Sequence, residues 1–187
     1  LDREAGAERT DAVRGVAARS ALLLAEVDYH AFEDVRLRQP FERSLQEKQH
    51  RMDAALASLG ALVDYRVGEV TAAATYYMAE TYAQFSRALM DSERPTDLSA
   101  AERAEYDAGL EDEALPFEEK AIRVHEKNLE LMTGAKVYNA WTEKSLARLA
   151  ELVPARYAKP EESTGPVAAL ETWSYRLPSV PAAAPQS

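Results

Sequence analysis

The stretch from Val70 to Met132 leaves this chain little choice of fold. Its first 21 residues, Val70 to Met90, contain neither glycine nor proline. Val70, Ala74, Tyr77, Met78, Thr81, Phe85, Ala88 and Leu89 recur there at three- and four-residue spacing, which places them on one side of a helix. Tyr76 and Tyr82 widen that arc, so the helix is expected to be buried on two sides. Ser92 to Asp97, with Pro95 inside it, then reads as a turn. Ser99-Ala100-Ala101-Glu102 is a capping box that restarts a helix. This second helix runs to Met132, with Tyr106, Leu110, Ala114, Phe117, Ala121, Val124, Leu129 and Leu131 as its core side. Pro116 lies within it and predicts a kink or a short break, because proline lacks the amide donor and clashes with the preceding turn. Two long helices folded back on each other are the expected centre of the molecule.

The flanking segments continue the pattern. Ala7 to Arg38 reads as a first helix with Val13, Val16, Ala17, Ser20, Leu23, Leu24, Val27, Ala31 and Val35 as its apolar face. Gln39-Pro40 breaks it. Phe41 to Tyr65 follows, with Phe41, Leu45, His50, Met52, Leu56, Leu59, Leu62 and Val63 as its stripe. Ser44 to Glu47 matches a second capping box and is a candidate restart point, and Gly68 closes the connection to the next helix. Val137 to Leu152 is a last helix, with Tyr138, Trp141, Ser145, Leu146, Leu149 and Leu152 inward. Residues 1–154 are therefore read as one all-α domain. Residues 155–187 are read as an extended or partly disordered tail, rich in Pro, Ala, Glu and Ser. Trp173, Tyr175 and Leu177 are apolar islands in that tail, suited to docking on the helices or on a partner.

Charge and composition narrow the function. A formal net charge of −10 opposes a nucleic-acid partner, since the phosphate backbone would repel it. The 187 residues include no cysteine, which removes disulfides, thiolate metal sites and a cysteine nucleophile. No apolar run approaches the roughly 20 residues of a membrane span. The chain begins at Leu1 and is read as a fragment or mature form of something longer. Among chemistry-bearing residues, Glu47 and His50 have the Glu-x-x-His spacing of di-iron bundles, and Glu26 and His30 share a helix face. These four define the alternative reading, a helical-bundle metal protein or enzyme. The acidic run Glu111-Asp112-Glu113 with Glu118-Glu119 reads as a solvated face. No nucleophile elbow or phosphate loop is present, so no catalytic residue, cofactor ligand or metal ligand is assigned.

Several stretches resemble a known family. Met78-Ala79 followed by Tyr82, and Phe117-Glu118-Glu119-Lys120-Ala121-Ile122, resemble the first and second helices of a tetratricopeptide repeat. Longer matches are Thr71 to Tyr76, Phe85 to Pro95, Pro116 to Ile122 with His125-Glu126, and Pro154 to Glu161. These look like the C-terminal region of large bacterial tetratricopeptide-repeat proteins, a family that includes proteins of the adventurous gliding-motility type. The resemblance covers about Val67 to Glu161. It implies antiparallel helix pairs stacked as a right-handed solenoid or a helical bundle, working as a non-enzymatic scaffold in the periplasm or cell envelope of a Gram-negative bacterium. It also implies protein partners in a multi-protein complex, in some members with Tol/Exb-like motors. The expected contact residues are Tyr76, Tyr77, Tyr82, Phe85, Trp141, Trp173 and Tyr175.

Overall fold

A computed structural model describes residues 10–135 and 138–158. The described residues form six helices and no strand: α1 (Asp11–Glu33), α2 (Phe41–Ala61), α3 (Gly68–Met90), α4 (Ala100–Gly134), α5 (Ala140–Leu152) and the short α6 (Pro154–Tyr157). A 3₁₀ turn, Leu62–Tyr65, extends α2. The linker to α3 closes at Arg66 rather than at Gly68. Arg66 takes the left-handed conformation at φ 54°, and Gly68 opens the following helix.

Helix α3 is the centre. It packs against α1 and α2, which pack on each other, and against α4 and α5, which also pack on each other. Its buried residues include Val70, Ala72, Ala73, Ala74, Ala79, Ala83, Phe85 and Leu89, so it is enclosed on more than one side as its broad apolar arc predicts. Alanine dominates this set, and small side chains let neighbouring helices approach closely. One core cluster joins Tyr29, Phe32, Leu37, Ala55, Phe85, Leu89 and Ala114, with Phe117 packed against it. A second joins Ala18, Ala25, Leu59, Leu62, Val70 and Ala74. Tyr77 touches both clusters.

Helix α1 is rotated relative to its sequence reading. Its buried residues are Gly15, Ala18, Ala25, Tyr29 and Phe32, whereas Val13, Val16, Leu23, Leu24 and Val27 are exposed. The helix carries two apolar stripes, and packing selects the one built of small residues and aromatics. The helix also stops at Glu33, five residues before Arg38. Lys48 of α2 accounts for this end: its ammonium donates to the carbonyls of Phe32 at 3.1 Å and Val35 at 2.8 Å, groups that a helix C-terminus leaves without an internal partner.

Further expectations change on packing. No break occurs at Pro116, and α4 runs through it. Pro116 and Asp112, whose carbonyl would lose its donor, are both exposed, so water satisfies what the ring removes. Ser44 starts no helix. It lies inside α2 and ties down the preceding loop, accepting from the Arg38 amide at 3.0 Å and donating to the Arg38 carbonyl at 2.7 Å. The Ser99–Glu102 box does form and starts α4. Helix α5 starts three residues later than Val137, because the Asn139 side chain caps the amides of Trp141 and Thr142 at 3.0 and 3.2 Å. Tyr138 accordingly lies outside it and is 79% exposed. Pro154–Tyr157 is helical, and Arg156 and Tyr157 both bond Glu126 of α4, at 2.6 and 2.8 Å.

Candidate functional site

Helices α1, α3 and α5 together carry a row of aromatic rings. Tyr29 of α1 lies 5.0 Å from Tyr77 of α3, centroid to centroid. Tyr77 lies 5.3 Å and Tyr76 5.5 Å from Trp141 of α5. These tilted arrangements are the ones aromatic quadrupoles favour. Tyr29 is buried, while Tyr76, Tyr77 and Trp141 are half-buried. Lys144 closes the end of the row, its ammonium 4.0 Å from the Trp141 ring centroid. Burial, with Glu26 beside it as acceptor, pushes the Tyr77 hydroxyl up to about 12. Burial likewise raises Tyr29 and Tyr76, so the row is neutral at ordinary pH.

Below the row lies a buried polar network that joins α3, α4 and α5. Asn128 Nδ2 donates to the Ala72 carbonyl at 3.2 Å and to Ser145 Oγ at 2.9 Å. Ser145 Oγ is 3.3 Å from His125 Nδ1, and His125 Nε2 is 3.1 Å from Glu80 Oε1. Arg148 Nε donates to the same Glu80 oxygen at 2.7 Å, and its guanidinium also pairs with Glu151. Burial alone would raise the Glu80 carboxyl, but the hydrogen bonds from His125 and Arg148 outweigh it and hold the group below the ordinary carboxylate range. With Glu80 ionised, the tautomer of His125 protonated on Nε2 satisfies both ring nitrogens: Nε2–H donates to Glu80, and Nδ1 accepts from the Ser145 hydroxyl, which itself accepts from Asn128. Asn128 Oδ1 and Arg148 Nη2 are left without a partner among the described residues. The Ser–His–Glu order resembles that of a nucleophile, base and orienting acid. Ser145 and His125, however, are both 0% exposed, so the hydroxyl meets no substrate in this arrangement. The network works as a polar staple between three helices.

Of the seven contact residues expected from sequence, Tyr76, Tyr77 and Trp141 come together. Phe85 does not join them; it is a core residue, 1% exposed, with its ring 4.5 Å from Phe117. Tyr82 is half-buried on another side of α3, where Lys120 reaches over its ring at 5.7 Å. Trp173 and Tyr175 lie outside the described residues. Sequence reading missed Tyr29, which sits on the stripe of α1 that was not chosen. It also missed Glu80, His125 and Asn128. The signal was present: Ala121, His125, Asn128 and Met132 continue the spacing of Leu110, Ala114 and Phe117, but two polar residues interrupt the apolar pattern.

The four residues of the metal reading are not assembled. Glu47 pairs with Arg51 at 3.0 Å and His30 with Glu33 at 3.2 Å, while Glu26 lies near Tyr77, whose hydroxyl it helps raise. Among the described residues no group of three or more His, Asp or Glu is placed to hold a metal ion, and no helix is long and apolar enough to cross a membrane. A cavity of about 600 Å³ opens where α1 ends, between the following loop and the last turns of α3. Arg36, Arg38 and Arg87 line it together with Glu33, Asp91 and Glu93, and Lys48 forms part of its wall. Burial, with Arg36 nearby, lowers the Lys48 ammonium to about 8.

No protein-family model, no curated protein and no solved structure matches this chain.

Proposed function

We propose that this protein is a non-enzymatic scaffold that binds a protein segment along the face formed by α1, α3 and α5. The observation that carries the reading is the row Tyr29, Tyr77, Tyr76 and Trp141, in which the rings of Tyr76 and Tyr77 on α3 and of Trp141 on α5 stay half-buried. Aromatic rings of this kind bury large apolar area at low entropic cost and are enriched where proteins meet. Glu26, Glu33 and Glu151 flank the row, and the whole chain is acidic, so the segment it suits carries basic residues beside its apolar anchors. The architecture we propose is a right-handed, tetratricopeptide-like stack. In it α1/α2 and α3/α4 are successive antiparallel pairs, and α5 begins the next. The packing of α1 on α2, of α3 on α4, and of α3 on both α1 and α5 supports this. Placement in the periplasm or envelope of a Gram-negative bacterium, within a motility or Tol/Exb-like motor complex, follows from the sequence resemblance alone and is part of the proposal.

Affinity capture from the native cells, quantified by mass spectrometry, tests it. The wild-type chain is expected to retain an envelope partner in stoichiometric amount. Tyr76→Ala with Trp141→Ala should weaken capture about tenfold or more, the effect of losing about 1.4 kcal/mol, while thermal melts show the variant still folded. Equal capture by the folded variant removes the aromatic face from the reading. Recovery of no stoichiometric partner removes the scaffold.

A further inference from the structure

The cavity where α1 ends holds positive charge that the protein does not use for itself. Its lining sets Arg36, Arg38, Arg87 and Lys48 against the three carboxylates Glu33, Asp91 and Glu93, a positive balance in a chain of formal charge −10. Two of those carboxylates are already engaged. Glu33 lies 3.2 Å from His30 Nδ1, and Glu93 Oε2 accepts from the Gln39 amide at 2.9 Å. Among the described residues Arg36, Arg38 and Arg87 form no ion pair, and the Arg87 guanidinium bonds only the neutral Gln84, at 3.4 Å. The helix ends do not need these arginines either. Where α1 and α3 end, Lys48 donates to the carbonyls of Phe32 and Val35, and Arg94 donates to that of Met90 at 2.8 Å.

The loop that carries two of the arginines is fixed in advance. Leu37, between them, is buried in the core, and its carbonyl accepts from the Glu93 amide at 3.0 Å. Ser44 Oγ holds both the amide and the carbonyl of Arg38. A site whose backbone is already ordered loses less entropy when a ligand arrives. The cavity volume, about 600 Å³, is that of a small-molecule site.

We propose that this cavity binds a small molecule bearing a phosphate monoester, held by Arg36, Arg38 and Arg87. A phosphate monoester presents three terminal oxygens and nearly two negative charges, which guanidinium forks match in geometry and sign. A carboxylate offers two oxygens and one charge. Asp91 lies in the same lining, so the ligand that suits the cavity carries a basic group beside its single phosphate, and a second phosphate is disfavoured. The three arginines lie outside the aromatic face, so this site stands or falls independently of the scaffold reading.

Phosphoethanolamine, a phosphate monoester with one amine, is the probe. Titration calorimetry of the full chain at pH 7 and constant ionic strength should give one site with a Kd of about 1 mM or tighter. Inorganic phosphate should bind more weakly, and ethanolamine not at all. Arg36→Gln with Arg38→Gln should weaken phosphoethanolamine about tenfold or more, as loss of hydrogen bonds to a charged group does, and Arg87→Gln alone should also weaken it. All three side chains are exposed, so the melts should not change; if the double variant melts lower, Arg87→Gln carries the test. Arg103→Gln, an exposed change outside the cavity, should bind as wild type. Absence of binding up to about 10 mM overturns the proposal, and so does equal loss in Arg103→Gln, which marks unspecific charge. Inorganic phosphate binding as tightly as phosphoethanolamine overturns the monoester and assigns the cavity to free phosphate.

Discussion

Glu80 is the residue on which the interior polar network turns, because it receives both His125 and Arg148 on one oxygen. Glu80→Gln leaves a single acceptor without charge, and hydrogen bonds to a charged group contribute about 1.5–3 kcal/mol. We expect the variant to lose about 2 kcal/mol at pH 7 by chemical denaturation. The folded-state carboxyl is held below its unfolded value of 4.5. Its contribution is therefore fully present above that value and lost as pH falls through the folded-state value. Wild type and variant should accordingly converge in acid, and a constant gap from pH 7 to pH 3 would show that charge is not the cause. Lys48 has the opposite sign. Its folded-state value is about 8 against an ordinary 10.5, so the cost of burying the ammonium is fully present below pH 8 and is relieved as pH rises toward 10.5. Between pH 8 and 10 stability should climb by up to about 3 kcal/mol, and Lys48→Met should flatten that slope. Above pH 10 the raised tyrosines Tyr29, Tyr76 and Tyr77 act in the other direction, because the folded state then holds protons that the unfolded chain releases.

Helix α4 crosses a proline without breaking, and its cost can be measured. Pro116→Ala restores the amide donor to the Asp112 carbonyl at an exposed position and removes a ring that disfavours helix interiors by about 3 kcal/mol. We expect a gain of about 1–3 kcal/mol, read as a higher Tm; an unchanged or lower Tm would mean that Pro116 holds a bend the packing needs. The elements also show how far the sequence could be read. The five long helices were legible, because glycine is scarce and caps such as Ser99–Glu102 are local; the single turn Pro154–Tyr157 was not, since its proline reads as a stop. The facing of α3 and of the first half of α4 was legible, since one apolar stripe dominates each. The facing of α1 was not, because two stripes compete and only the partner surfaces of α2 and α3 decide between them. The end of α1 depends on Lys48, 15 residues further on, which no local pattern reveals. Within the candidate face, Tyr76, Tyr77 and Trp141 stood out by residue type. Glu80, His125, Asn128 and Ser145 are polar residues in apolar positions, and only tertiary contact explains them.

At the scale of the molecule, stability should grade outward from α3, which packs against four other helices. Hydrogen exchange followed by mass spectrometry should find the α3 amides protected until global unfolding, with α5 and α6 exchanging through a lower-energy opening. Equal protection of α3 and α5 would mean that the polar staple makes all helices one cooperative unit. The aromatic row gives the docking of α5 an optical signature as well. Light absorbed by the phenol rings of Tyr76 and Tyr77 passes readily to an indole about 5 Å away, and the Lys144 ammonium over that indole shifts its emission. Trp141 thus acts as an intrinsic lamp for α5 once the second tryptophan, Trp173, is replaced by Phe: when α5 swings away from α3, sensitised emission falls and the indole spectrum changes, with no label attached.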